Sequence, residues 1–289
     1  MVLLLHVGLA IAMVMIPLLP QGSAYNYCHN DTHFCLAANR QHFMCRLDAE
    51  LPPVAAYKGT IPDTKKFHAI ILKQLNSYRD RLASGFLETR SNKIFPAAKR
   101  MRELIWDLEL GYMARSHAST VSFKHSECRA TQRFPMAGEA LGVVGSTMDR
   151  RSMSDVLRLA FDRMFDEHLD VKDPESLISN FDGSRDITAG HFSTIVSDRV
   201  SRVGCGVAVA TECSDDLPQG HCHFLTCHFD FTNIQGSYVY KEGPPATDCQ
   251  IWEADPSKDY QHLCGNEGGI FGQDHGDEDL SNTTRILGV

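Results

Sequence analysis

The sequence predicts an α+β fold in which helices and a sheet pack as layers. Segments with helical periodicity come first along the chain, and segments typical of β-strands come later. The chain also contains ten cysteines, an even number that suits a fold braced by disulfides. Because helices and strands do not alternate, a doubly wound parallel sheet is disfavoured.

Three amphipathic helices are predicted before the strands. The first begins near Thr64, a residue typical of N-caps, and Gly85 is its expected stop. Between these two residues, apolar side chains recur at helical spacing. The same periodicity predicts a second helix over residues 106–119 and a third over residues 154–169.

The later part of the chain is predicted to supply the sheet. Residues 203–210 and 223–231 have the composition of strands, and residues 238–240 form a short third candidate between glycine-containing turns. Residues 25–62 hold three cysteines and show no lasting periodicity. We therefore expect them to form an irregular arm that is stapled to the core.

The N-terminal residues 1–24 are predicted to be a signal peptide. They are apolar almost throughout and end in Gly22-Ser23-Ala24, the small residues that a signal peptidase needs. A membrane anchor is the alternative, but the segment is short and interrupted by proline. No later apolar run is long enough to span a bilayer, so we expect a soluble, secreted protein. At the other end, residues 250–289 are acidic and rich in glycine, and disorder is expected beyond Gly265.

Secretion determines how the cysteines and charges are interpreted. All ten cysteines follow the predicted cleavage site, as in an oxidised extracellular domain. Sequons at Asn30 and Asn282 predict glycosylation on the secretory route. The formal net charge is −8, although residues 65–102 are basic. This basic stretch lacks interleaved aromatics, so it predicts a solvated helix face and no nucleic-acid partner.

Two histidine-containing blocks carry the most specific signal in the chain. His125-Ser126-Glu127-Cys128 is followed by Ala137-Gly138-Glu139, and Gly190-His191-Phe192-Ser193-Thr194 is followed by Val203-Gly204-Cys205-Gly206. With Leu225–Phe229 and the hinge Gly243–Ala246, these blocks resemble the CAP superfamily of cysteine-rich secretory, antigen-5 and pathogenesis-related proteins. Insect venom antigen-5-like proteins are the most similar members.

This resemblance implies a three-layer α-β-α sandwich around a small central antiparallel sheet, with the CAP domain over residues 63–249. It also implies a disulfide pairing that the cysteine count alone leaves open. The implied pairs are Cys28–Cys45, Cys35–Cys128, Cys205–Cys227, Cys213–Cys222 and Cys249–Cys264. Such bridges contribute about 2–4 kcal/mol each.

The family's cavity holds two histidines and two acidic residues, which correspond here to His125, Glu139, Glu167 and His191. This tetrad can form a buried hydrogen-bonded network, a weak divalent-metal pocket with zinc as the first candidate, or a general acid and base. Ser193 is too close in sequence to His191 to pair with it as a nucleophile. No cofactor is required by this interpretation.

A second group, His221, Cys222, His223, Cys227 and His228, has the composition of a zinc site. Oxidising conditions favour structural disulfides flanked by exposed histidines instead. The resemblance also implies that His228 stands where the family strand usually has asparagine.

The sequence therefore predicts a secreted, non-enzymatic CAP protein that binds an extracellular protein or a lipid. One alternative is a sterol or fatty-acid carrier, for which Leu225–Phe231 resembles the strand and loop implicated in some relatives. The other alternative is a zinc-dependent hydrolase that uses the His/Glu tetrad.

Overall fold

The computed structural model describes residues 26–28, 35, 39–146, 151–213 and 220–270. The predicted signal peptide, both sequons and the acidic tail beyond residue 270 lie outside these ranges. The helices are α1 (Leu47–Glu50), α2 (Lys65–Ala83), α3 (Leu108–Ser119), α4 (Met153–Phe165), α5 (Pro174–Ser179) and α6 (Gly190–Ile195). The strands are β1 (Ala56–Thr60), β2 (Ile105–Trp106), β3 (Gly138–Ser146), β4 (Arg202–Thr211) and β5 (His221–Phe229).

The strands form one sheet in the order β1-β4-β5-β3. All neighbours along this path are antiparallel, and β2 adds a short parallel pairing to one end of β4. Strand β3 pairs with β5 along its whole length and forms one edge of the sheet, with β1 at the other. The predicted α+β class with a small antiparallel sheet is confirmed.

Side-chain hydrogen bonds fix the starts of the long helices. Thr64 Oγ1 accepts a hydrogen bond from the amide of Phe67 at 3.2 Å, so α2 begins where its N-cap is predicted. Gly85 follows the helix with φ +78°, a conformation that favours glycine. Asp107 caps α3 and Ser152 caps α4 in the same way.

The side chains of β4 alternate between the two faces of the sheet, and the cores they join show which helices cover each face. Val203, Cys205 and Val207 belong to the main core, which also includes residues of α2, α4 and α6. Ala208 and Ala210 belong to a second core with Ala118 of α3. The molecule is thus a three-layer α-β-α sandwich, with α3 on one face and α2, α4 and α6 on the other.

Helix α3 lies unusually close to the sheet because β4 has glycines on that face. A Cβ atom at Gly204 would overlap the backbone of Gly111, and one at Gly206 would overlap the backbone of Arg115. The run Val203–Gly206 is therefore a packing requirement, since only residues without a side chain admit the helix backbone at this distance.

Several sequence-based boundaries are wrong. The arm is not irregular throughout, because residues 56–60 form β1 and pair with the end of β4. Residues 238–240 are not a strand, since Val239 bonds to Ile178 of α5 and to Asp198 in a loop and forms no ladder. Trp106 precedes α3 and lies in β2. Helix α4 ends at Phe165, and a 3-10 turn continues to Asp170.

The basic stretch is only partly a solvated face. Arg79, Arg100 and Arg102 are buried, with at most 4% of their surface exposed. Arg79 donates five hydrogen bonds to the carbonyls of Arg102, Ile195, Ser197 and Val200, at 2.7–2.9 Å. Burial lowers the pKa of Arg79 to about 9. This side chain therefore connects α2 to the segment that contains Arg102 and to residues 195–200.

Five disulfides brace the fold, with the same pairs that the family resemblance implies. Cys205 and Cys227 are directly opposed on β4 and β5. Cys35–Cys128 and Cys28–Cys45 hold the arm. No helix in the described ranges is long and apolar enough to cross a membrane.

Candidate functional site

His125 and Glu139 form the first of two histidine–glutamate pairs. Glu139 lies near the start of β3, and His125 lies in the loop that follows α3. His125 Nδ1 donates to Glu139 Oε1 at 2.8 Å. The imidazole is 59% exposed, whereas the carboxylate is fully buried. The pair therefore consists of a solvent-exposed imidazole that is hydrogen-bonded to a buried carboxylate.

The Glu139 carboxylate accepts hydrogen bonds on both oxygens. Oε1 accepts from His125 and from the amide of Ser126, and Oε2 accepts from Ser126 Oγ at 2.8 Å and His228 Nε2 at 3.0 Å. Burial favours a raised pKa, but Arg129 at 3.8 Å and these histidine hydrogen bonds outweigh it. The pKa of Glu139 is held well below its usual value, so the carboxylate stays ionised.

Beneath this carboxylate lie two histidines that the sequence analysis did not assign to the site. His117 Nδ1 accepts from Thr226 Oγ1, His117 Nε2 donates to the Lys124 carbonyl, and His228 is fully buried. Burial lowers the pKa of both imidazoles, that of His117 to about 4. His228 and His223 are buried, which corrects the expectation that both are exposed.

A sequence signal for His117 does exist. It falls three to four residues after Met113 and Ala114, which themselves follow Leu110 by the same step. All four residues therefore lie on one face of α3, and all four are buried in the structure. A histidine in an apolar helical stripe indicates a buried polar contact across that face.

His191 and Glu167 form the second pair. His191 lies in α6 and Glu167 in the 3-10 turn after α4, both in the helical layer of the opposite face. His191 Nδ1 donates to Glu167 Oε1 at 2.6 Å, and the Phe192 amide donates to Glu167 Oε2 at 2.9 Å. Their side chains are 29% and 21% exposed. The predicted tetrad thus comes together as two pairs from two different layers.

Both pairs engage the histidine through Nδ1 and leave Nε2 for a ligand. A carboxylate on the second ring nitrogen is typical of metal-ligating histidines, so the glutamates orient the imidazoles. Zinc centres use three or four protein ligands. Across the described ranges, no group of three or more histidine, cysteine, aspartate or glutamate side chains is arranged to hold a metal ion. A four-ligand zinc centre is therefore not what this geometry provides.

Ser193 is not a nucleophile in this arrangement. Its side chain is fully buried, and its Oγ donates to the carbonyl of Ala189 at 2.6 Å, one turn back in the chain. Ser193 Oγ also accepts a hydrogen bond from Asn233 Nδ2 at 2.9 Å. The hydroxyl therefore stabilises the start of α6 and is not directed at either imidazole.

A cavity of about 510 Å³ runs beside the free edge of β3. Glu167 and His191 line it, whereas His125 and Glu139 do not. Most of its wall is apolar, and one further charged group, Arg163 of α4, belongs to it. The lining residues are Val54, Phe123, Leu141, Gly142, Val143, Ala160, Arg163, Met164, Glu167, His191 and Phe224. Its size and lining are those of a small-molecule site.

The fold and the site define a disulfide-braced α-β-α sandwich protein with two oriented histidines and an apolar cavity. A family model described as "Cysteine-rich secretory protein family" (CAP) matches residues 72–229. The chain belongs to this family, as the sequence resemblance indicates.

Relatives of known name include insect venom allergens. "Venom allergen-1" of Aedes albopictus is 28% identical over 248 residues, which cover 84% of this chain and 89% of the relative. "Venom allergen 5" of Vespula maculifrons is 29% identical over 227 residues, covering 77% and 92%. "Tabinhibitin 3" of Tabanus yao is 27% identical over 264 residues, covering 89% and 93%.

Solved structures share the fold at lower identity. The structure of BmVAL-1 superposes with a TM-score of 0.58 at 22% identity, covering 71% of this chain and 96% of that one. The crystal structure of NaASP2 with Zn2+ gives a TM-score of 0.55 at 21% identity, covering 70% and 98%. The latter crystal contains zinc, as its name states.

Proposed function

We propose that this protein acts outside the cell by binding, and that its cavity takes a small amphipathic lipid. The observation that carries the proposal is the cavity of about 510 Å³ beside β3, whose wall is formed mostly by apolar side chains. Extracellular action is supported by the predicted signal peptide and by the pairing of all ten cysteines in five disulfides.

The side chains that line the cavity suit an apolar occupant. Leu141, Met164 and Phe224 are nearly inaccessible from outside, yet all three face the cavity. Val54 and Phe123 also line it and keep more than half of their surface exposed. An apolar chain inside would pack against the first set and remove the exposed surface of Val54 and Phe123 from water, which stabilises a complex by about 25 cal/mol per Å² buried.

The lipid-carrier alternative is therefore kept, but with a different binding site. Of the segment Leu225–Phe231, the part up to Phe229 is a buried stretch of β5 between β3 and β4, and Phe231 in the loop is also buried. The neighbouring residue Phe224 is the part of this strand that lines the cavity. Lipid binding is thus better supported at the cavity than at the strand segment that suggested it.

The hydrolase alternative lacks support in the geometry. Each imidazole is paired with a glutamate. The hydroxyl that contacts the first pair, Ser126 Oγ, is buried and donates to Glu139 Oε2, so it is not hydrogen-bonded to an imidazole that could act as its base. A water-based mechanism would need a metal with an open position, and the ligand grouping for one is absent from the same ranges.

The test is a titration with a neutral apolar fluorophore, 1-aminoanthracene, on delipidated protein secreted from insect cells. We expect saturable binding that Val143→Phe weakens at least tenfold, because the larger side chain occupies the cavity. Leu108→Phe, on the exposed face of α3, is the matched control and should bind as the wild type does. If Val143→Phe bound the dye normally, the cavity would not be the site. Hydrolysis of peptides or esters that His191→Ala abolished would replace binding with catalysis.

A further inference from the structure

Residues 86–95 follow α2 and form a small hairpin that carries two exposed apolar side chains. Phe86 is 82% exposed, more than any other large apolar residue in the described ranges, and Ile94 is 55% exposed. A β-bridge places Glu88 opposite Ile94, and Phe86 precedes Glu88 by two positions. Because side chains two positions apart in extended backbone lie on one side, Phe86 and Ile94 share the outer face of the hairpin.

The backbone of this hairpin is held in place from its inner face. Leu87 and Phe95 are fully buried, and the Phe95 ring packs on that of Phe192 with a centroid distance of 5.1 Å. The Phe95 amide donates to the Leu87 carbonyl, and the Thr89 amide donates to the Lys93 carbonyl, both at 2.8 Å. The two apolar side chains of the outer face are therefore fixed in water by an ordered frame, which indicates a contact with another surface.

Three exposed cations lie on or beside the hairpin. Lys93 follows its turn and donates from Nζ to the carbonyl of Lys172. Arg81 lies in the last turn of α2, directly before the hairpin. Within the part of the chain that the structure describes, none of the three side chains has a carboxylate at ion-pairing distance.

The nearby carboxylates compensate only part of this positive charge. Asp170 pairs with Arg90 of the hairpin at 3.1 Å, so these two charges cancel. Glu88 on the outer face is set against the three cations. The hairpin and its surroundings are thus locally positive, although the formal net charge of the chain is −8.

We infer that this hairpin docks the protein on the surface of a phospholipid bilayer, with Phe86 and Ile94 below the head groups and Lys93 and Lys172 on the lipid phosphates. An interfacial segment binds through its buried apolar area and through the attraction of its cations to anionic lipids, and the hairpin offers both. A lysine reaches the phosphates while its stem stays beside apolar groups. The inference goes beyond the proposed function, because the hairpin does not line the cavity.

The small size of the apolar patch favours a bilayer over a folded protein partner. A stable protein interface takes about 20–30 residues on each side and a matching shape. Two side chains on one face of a hairpin do not provide this. A fluid lipid surface needs no matching shape and accepts apolar side chains singly.

The experiment is co-sedimentation of the secreted protein with two kinds of vesicle, one of phosphatidylcholine and one of phosphatidylcholine and phosphatidylserine in equal parts. We expect saturable binding that is tighter on the mixed vesicles and that weakens as salt rises, since the cations are exposed. Phe86→Ser should weaken binding about tenfold, the size of one inserted aromatic side chain. Lys93→Gln should reduce the preference for the mixed vesicles.

Leu108→Ser is the matched control, because Leu108 is also a highly exposed apolar residue but lies on α3, in the other helical layer. It should bind vesicles as the wild type does. In Phe86→Trp, the added tryptophan should show a blue shift of its emission on vesicles, which reports insertion below the head groups.

Two results would overturn the inference: a wild type that binds neither kind of vesicle, or equal binding by Phe86→Ser and Leu108→Ser. Val143→Phe tests its independence from the cavity. This variant should fail to bind the dye and still bind vesicles, so the failure of one proposal is distinguishable from the failure of the other.

Discussion

The imidazole of His228 lies 3.0 Å from the carboxylate of Glu139, and both side chains are fully buried. Because the carboxylate is ionised, His228 Nε2 carries the proton of this hydrogen bond. Its Nδ1 has no partner. A second proton on the ring would therefore be buried without an acceptor, and the pair is stable only while His228 is neutral.

Stability should accordingly fall as the pH drops from 7 to 5. The folded-state pKa of His117 is lowered to about 4, so between its unfolded value of 6.5 and that point the unfolded chain binds a proton that the folded chain does not. Between pH 7 and pH 5 the loss from His117 alone is about 2 kcal/mol. Urea unfolding at pH 7 and pH 5 measures it.

Variants identify the groups responsible for this acid sensitivity. His117→Gln should be less stable at pH 7 but show a flatter dependence on pH. His221→Gln, on an exposed histidine, should leave the slope unchanged. A His117→Gln protein with the wild-type slope would show that His117 does not contribute.

Glu139→Gln should destabilise the protein far more than Glu167→Gln. The amide of glutamine has one acceptor oxygen where Glu139 meets four donors, and it removes the charge that Arg129 faces. We expect a loss of about 3 kcal/mol, against about 1 kcal/mol at the partly exposed Glu167. Thermal unfolding of both variants measures the two losses of stability. Equal losses would mean that the two pairs are structurally equivalent.

Arg79→Lys should reduce the free energy of unfolding by about 3 kcal/mol despite the retained charge. Lysine has three donors and no planar fork, so it cannot reach the four carbonyls that Arg79 binds. Arg81→Lys, at an exposed position on the same helix, should change stability by less than about 0.5 kcal/mol. Denaturant titration of the two variants provides the comparison, and equal stability would contradict this role of Arg79.

Gly204→Ala should prevent folding and secretion. Its Cβ would overlap the backbone of Gly111 in α3, and neither backbone can move without separating the helix from the sheet. Gly59→Ala, in the same sheet, meets no atom within 4 Å and should be secreted normally. The yield of secreted protein measures the difference. Normal secretion of Gly204→Ala would mean that α3 has room to shift.

Helix positions were predictable because their signals are local. Thr64 and Gly85 bound α2 by capping chemistry that does not depend on the rest of the fold. Strand β3 was not predictable in the same way, since Gly138, Gly142 and Gly145 interrupt its alternation. Tertiary contacts explain two of them: a Cβ atom at Gly138 would overlap the carbonyl oxygen of Phe231, and one at Gly142 would crowd Met164.

The site shows the same division between local and tertiary information. Family resemblance selects the four residues of the tetrad, but the sequence does not show that they form two pairs in different layers. Charge composition likewise does not distinguish the buried Arg79 from its exposed neighbour Arg81. Whether a cation is solvated depends on carbonyls supplied by segments more than a hundred residues away, such as those of Ile195 and Ser197.

The bridge between Cys35 and Cys128 can form only after the 93 positions that separate its two cysteines have been synthesised. Its two cysteines are separated by 93 positions, while Cys28 and Cys45, which pair with each other, flank Cys35 on either side. At about 5–20 residues per second, the correct partner of Cys35 emerges about 5–20 seconds after it. During that interval the nearest available thiols are the wrong ones. We therefore expect oxidative refolding of this chain to be faster when a disulfide isomerase is present.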